Sequence, residues 1–272
     1  MSPISIPGKV KLVKDYLGMG ILDFYGGAAA AYSLRSLSDS YTSPVVRVRR
    51  SNDNDESDFN ATEVSDGTLA AWVGAGNNGL VRTWYDQSGN SRHAEQSTTA
   101  RQPVIVSSGS LILANSLPTI DFTTQYLDLP SYFATADDSS FSIFSTCLTQ
   151  KGNYGTFLNI RNGATRIISK TGFVLGYGGN GGMGWQLTSN ISSFSLVSIF
   201  QSNGTAFTNS VQTATFAVRT GDILGVARNC IGLDGFNSYW DGVFSEMIIY
   251  PSNQSINRPT IEDNINTYYS IY

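Results

Sequence analysis

From residue 103 onward, apolar and polar residues alternate over short runs, and turn-forming residues separate the runs. FSIFSTCLTQ (141–150), FSLVSIFQSNG (194–204) and YWDGVFSEMIIY (239–250) carry the period-two pattern of half-buried strands. Strands are predicted near 103–106, 118–122, 125–129, 140–149, 155–160, 165–169, 172–177, 183–187, 194–201, 204–208, 211–217, 222–226 and 238–250. The breaks between them suit tight turns: Lys151-Gly152-Asn153, Asn162-Gly163, the glycine-rich run 178–182 and Asn203-Gly204. Many short strands with little helix predict a mainly β fold, a two-sheet sandwich. A helix over 257–269 closes the chain, with Pro259 in its first turn and Ile261, Ile265 and Tyr268 or Tyr269 on one face. It is expected to pack across an open end of the sheets.

The first hundred residues read differently. AAAAYSLRSLS (28–38) favours helix, and PVVRVRR (44–50) is an alternating strand. An acidic loop, SNDNDESD (51–58), precedes a short helix in DGTLAAWVGAG (66–76), started by Ser65 or Asp66 and stopped by Gly74 and Gly76. The expected organisation is a tail over 1–20, a small α/β appendage over 21–100, and a sandwich with its closing helix over 101–272.

Composition narrows the function. Charged residues make up 14% of the chain, against about 25% in ordinary domains. Ser (35), Gly (27) and Asn (20) supply 82 of 272 residues, so the expected surface is neutral and hydrogen-bonding. A net charge of −4 argues against nucleic acid, which needs a basic footprint. No apolar run approaches the roughly 18 residues of a membrane span, and the opening MSPISIPGKVKLVKDYLG lacks the apolar core of a secretory signal. Cys147 and Cys230 could make one bridge; two buried free thiols are the favoured reading.

The chemistry-bearing residues are few. The single histidine, His93, lies in RTWYDQSGNSRHAEQ (82–96) near Ser88 and Asp86. Without a strained nucleophile elbow around Ser88, this segment reads as a structured loop rather than a triad. Asp53, Asp55, Glu56 and Asp58 place oxygens at near-alternate positions and could hold Ca²⁺, or could pair with Arg47, Arg49 and Arg50. No other cofactor is expected. Glycoside hydrolysis needs two carboxylates about 5–10 Å apart, yet residues 139–221 contain no Asp or Glu. Asp234, Asp241 and Glu246 remain as weak catalytic candidates, with Asp241 and Glu246 reading as surface residues. Tyr154, Tyr177, Trp185, Phe236, Tyr239 and Trp240 lie in or beside Gly/Asn-rich segments, where exposed rings could stack on sugars.

RTWYDQSGNSRHAEQ resembles the YDQSGNGNH-x-x-Q signature of the catalytic domain of the α-L-arabinofuranosidase B family, a concanavalin A-like (jelly-roll type) sandwich. AAAAYSLRSL, VVRVRRSNDNDESD, DILGVARN and the segment from YWDGVFSEMIIY to the C-terminus extend the likeness patchily over about 22–272. The family's acid/base aspartate aligns with Asn229, and its nucleophile falls in FSIFSTC (141–147), which has no carboxylate. An amide cannot donate and recover a proton, so the resemblance implies the fold without the enzyme, and Asn229 joins the binding candidates. The same signature also resembles parts of tailed-bacteriophage virion proteins.

The expectation is therefore a non-catalytic virion surface protein of the tail, fibre or capsid. It would bind a cell-surface glycan, form a homo-oligomer and attach to other virion subunits through residues 1–20. The alternatives are a glycoside hydrolase with a relocated carboxylate pair, and a purely structural subunit.

Overall fold

A computed structural model of the protein describes residues 20–130, 141–149, 155–160, 165–170, 174–179, 182–186, 191–200, 202, 204–215, 229–233 and 239–272. At 156, 160, 165–170, 174–179 and 182–186 the description covers the backbone. The 1–20 tail, but for Gly20, lies outside these residues, as do the strand expected at 222–226 and Tyr154, Asp234 and Phe236.

The chain is mainly β and antiparallel, as the alternation predicts. Its central strand is Gly242–Tyr250, buried along its whole length. On one side it pairs with Ser142–Thr149, across a bulge at Thr146/Cys147, and that strand pairs with Ser195–Phe200. Thr205–Thr208 and Val211–Thr215 follow outward. The other side of the central strand takes two short strands end to end, Ala30–Ser33 and Ile120–Phe122.

A second layer runs from Gly182–Gln186 through Val174–Gly179, Thr165–Lys170 and Gly155–Ile160 to Cys230–Ile231. It continues through Leu127–Asp128, Ala94–Glu95, Gly79–Trp84 and Val46–Arg50 to Glu56–Phe59. Val104–Ser107 joins the layers, because it pairs with both Ile120–Phe122 and Gly79–Trp84. The hydrogen-bonded sheet thus folds over on itself.

One core fills the interior. Phe244 and Trp240 stack at 5.2 Å between centroids, and Phe122 and Phe157 meet Phe244 edge-on at 5.3 and 5.0 Å. A second core lies outside the first layer. There Ile261, Ile265 and Tyr269 of the closing helix, Arg258–Tyr269, cover Ile248, Tyr250 and Phe144. The helix therefore packs on a sheet face and not across an open end. Its fit depends on the i, i+4, i+8 spacing of those three residues.

Three readings need correction. Ala30–Ser33 is a strand, although AAAAYSLRSLS favours helix. The acidic stretch contains the strand Glu56–Phe59. A helix at Ala61–Ser65, closed by a capping box between Asn60 and Glu63, precedes the expected one, which spans Thr68–Val73. The division drawn at residue 100 is crossed by the pairings of Ala30–Ser33 with Met247 and its neighbours and of Glu95 with Asp128. Cys147 and Cys230 are both buried and are not joined by a disulfide, lying in different clusters.

Candidate functional site

The YDQSGN loop is a brace. The Asp86 carboxylate accepts from the backbone N–H groups of Ala31 (2.8 Å), Ser88 (2.9 Å) and Arg92 (3.0 Å) and from the Ser88 hydroxyl (2.8 Å). His93 accepts the Asp86 N–H at Nδ1. The Ser88 hydroxyl thus points at the aspartate and the imidazole at the backbone, so the three do not form a catalytic relay.

Most of the acidic loop meets arginine. Arg50 grips Asp53 through two nitrogens, at 3.1 and 2.7 Å, and lies 3.7 Å from Asp55. Arg47 holds Asp58 in the same way, at 2.9 and 2.7 Å. The arginine hydrogen bonds pull both Asp53 and Asp58 below the usual carboxylate range. The oxygens proposed for Ca²⁺ are thus engaged by guanidinium groups. No cluster of three or more metal-ligating side chains occurs among the described residues.

Glu246 is the largest departure from expectation. Its side chain is fully buried beneath the closing helix, not at the surface. Arg35 donates to it at 2.7 and 3.1 Å, Ser33 at 2.9 Å and Tyr269 at 3.3 Å. Burial alone would lower the Arg35 pKa; the Glu246 charge and hydrogen bond outweigh it and raise it. Glu246 is therefore corrected from a catalytic candidate to half of a structural ion pair. The carboxylate near Asp241 is instead Asp121, which lies opposite Val243 on the neighbouring strand. Burial, and then the charge of Asp241, push the Asp121 carboxyl upward, and its buried Oδ1 has no hydrogen-bond partner among the described residues.

Trp240 is likewise corrected. Its ring is fully buried in the core and cannot stack on a ligand. The side chains of Tyr177 and Trp185 lie outside the described residues; their backbones pair across adjacent strands. Tyr239, in contrast, is half-buried, whereas Asn229 is buried, its amide donating to the Pro130 carbonyl at 3.3 Å. Across the outer face of the second layer, pairing aligns Asn159, Cys230, Asp128, Glu95, Thr83, Arg47 and Asp58 in a single row. Successive residues on paired strands share a face, so this polar row runs across seven strands. Asp128 and Glu95 are directly opposite, and Arg82 lies 4.0 Å from Glu95.

Beside the row, Tyr126, Cys230 and Leu233 form a small cluster against which half-buried Tyr239 packs. The Tyr126 and Tyr239 rings are 6.4 Å apart, and Arg101 sits 5.2 Å over Tyr239. The Asn229 carbonyl accepts from Leu129 N–H at 2.8 Å, next to Asp128. Sequence reasoning found Tyr239 and Asn229 but missed Tyr126, Asp128, Glu95 and Arg101. The strands of Asp128 and Glu95 are two residues long, too short to show a period, and strand pairing brings them together; Tyr126 and Arg101 join through their contacts with Tyr239.

No family model matches the chain, and no curated protein matches it. Solved structures do. An arabinofuranosidase complexed with arabinofuranosyl-α-1,2-xylobiose aligns over 92% of this chain and 65% of its own, with 16% identity and a TM-score of 0.59. A GH54 α-L-arabinofuranosidase soaked with a cyclic sulfate inhibitor gives the same coverage and identity, with a TM-score of 0.57. A Trypanosoma rangeli sialidase aligns over 96% of this chain and 39% of its own at a TM-score of 0.46, too distant to argue from. The chain spans 65% of the length of the arabinofuranosidases it matches. These likenesses establish an arabinofuranosidase-like sandwich fold. They also correct the expectation of a protein that is not an enzyme: the solved proteins aligned above are arabinofuranosidases, so the fold does not speak for a non-catalytic role.

Proposed function

We propose that the protein engages a carbohydrate on the outer face of the second layer. The observation that carries this reading is half-exposed Tyr239, held by Tyr126 and Arg101, beside a polar row containing Asp128 and Glu95. An aromatic platform takes the apolar face of a sugar ring, while carboxylates meet its hydroxyls. The fold shared with arabinofuranosidases supports this. On a glycan array, at least one arabinose- or hexose-containing glycan is expected to bind, and Tyr239→Ala to weaken binding about tenfold, or ~1.4 kcal/mol. An array with no hit refutes the reading.

Asp121 and Asp241 favour a second reading, glycoside hydrolysis. A carboxyl with a raised pKa beside a second carboxyl is the arrangement in which one serves as acid and the other as nucleophile or base. Release of reducing sugar from arabinan, abolished in both Asp121→Asn and Asp241→Asn, establishes it; activity retained in both variants excludes this pair. The resemblance to bacteriophage proteins supports a virion-surface setting for either activity, with attachment through residues 1–20. Mass spectrometry of purified virions tests that placement.

A further inference from the structure

We infer that a cavity beside the YDQSGN loop is a second ligand site, taking a neutral polyhydroxylated molecule of one or two sugar rings. The cavity, about 380 Å³ in volume, opens between the helix Ile21–Phe24, Gly26-Gly27, the 38–41 turn and Gln87-Ser88-Gly89. It shares no residue with the outer-face row, so the two sites stand or fall separately. Its volume falls at the small end of the range for ligand pockets, about 300–1,000 Å³.

Its floor and walls are fixed. The Gln87 amide is fully engaged, accepting from Leu37 N–H at 2.8 Å and donating to the Ser33 and Arg35 carbonyls at 3.1 and 2.9 Å. The Asn90 amide donates to the Ala28 and Ala29 carbonyls, which ties the loop to the chain beside Gly27. Gly27 (φ 78°) and Gly89 (φ 87°) hold left-handed backbone, and a Cβ at either would meet nothing within 4 Å. Main-chain groups at these glycines are therefore open to close approach by a ligand.

The lining selects the chemistry. Among the described residues, Asp23 is its one charged side chain and no Lys, Arg or His lines it, so within that lining an anionic ligand would find repulsion and no counter-charge. The Asp23 carboxylate accepts from the Ser38 hydroxyl and from Asp39 N–H (2.8 Å), and each oxygen keeps a lone pair for another donor. Ser38, Ser40 and Ser88 add hydroxyls, and half-buried Tyr41, its own hydroxyl bonded to the Pro44 carbonyl at 2.7 Å, supplies an apolar ring wall. Donating hydroxyls on a compact ring satisfy this set.

The test is calorimetric or NMR titration of the full chain with arabinose, galactose, glucose and N-acetylglucosamine, with sulfate and ethanolamine as controls. At least one sugar is expected to bind. Ser40→Phe, which places a ring at the rim, and Asp23→Ala are each expected to weaken it about tenfold or more with circular dichroism unchanged. Tyr239→Ala should leave this binding intact. The inference is overturned if no sugar binds, if ethanolamine binds in place of sugars, or if neither cavity variant alters affinity. Sugar binding that Tyr239→Ala removes and both cavity variants keep also overturns it, while supporting the outer-face site.

Discussion

Replacing Glu246 with Gln removes one charge from a pair sealed beneath the closing helix. The Glu246 side chain is 0% exposed and that of Arg35 10%. The carboxylate serves three donors, Arg35, Ser33 and Tyr269, and Arg35 also donates to Asn264 at 2.8 Å and lies 4.8 Å over the Tyr268 ring. The variant keeps the shape but leaves the guanidinium without its counter-charge. Breaking a buried pair by removing one partner costs about 3–5 kcal/mol. With a urea slope of about 3 kcal/mol/M, the unfolding midpoint drops by roughly 1–1.7 M. Urea titration followed by tryptophan fluorescence reads this directly. Replacing both partners, Arg35→Met with Glu246→Leu, is expected to recover most of the loss, because apolar groups of similar volume dispense with the desolvation cost. A midpoint shift below about 0.3 M for Glu246→Gln, or a double variant worse than the single one, would falsify the assignment of a sealed ion pair.

Other outcomes follow from single contacts. Asp121→Asn is expected to stabilise the protein at neutral pH. A carboxyl whose pKa is raised on folding binds protons more readily when folded, so stability falls as pH rises from the ordinary carboxylate range through the raised value; the variant should flatten that slope in thermal melts across pH 4–7. Asp58 has the opposite sign: its folded pKa is lowered by Arg47, so its contribution is present at neutral pH and lost as pH falls below the ordinary carboxylate range through the lowered value, a loss that Asp58→Asn should remove from melts extended below pH 4. Trp240→Ala should cost about 3–5 kcal/mol in urea titration, since the ring is enclosed by Phe157 and Phe244. Asn60→Ala, which opens the capping box, should cost about 1 kcal/mol.

The alternation in 141–150 and 239–250 led to the right strands because each borders a core on both sides yet keeps small or polar residues at intervals. Ala30–Ser33 misled for a related reason. Ala30 faces the interior core and Ala31 the one under the closing helix, so the strand is buried on both faces and shows no alternation. Small side chains suit that tight position, and helix propensity gives way to pairing with Tyr32's partner Met247 and its neighbours. Glu246 could not be placed from sequence, because Arg35, the residue that makes its burial tolerable, is 211 positions away. The outer-face site was half legible. Tyr239 and Asn229 stood out by type and by resemblance, whereas Asp128 and Glu95 become neighbours only through pairing of strands two residues long.

The central position of Gly242–Tyr250 also governs the order of assembly. That strand pairs directly with Ala30–Ser33, Ile120–Phe122 and Ser142–Thr149, yet it leaves the ribosome after all three. Earlier strands must wait with unpaired edges until residue 250 arrives. Such edges recruit other chains, so the nascent protein is most exposed to aggregation just before this strand emerges, and slower translation lengthens that interval.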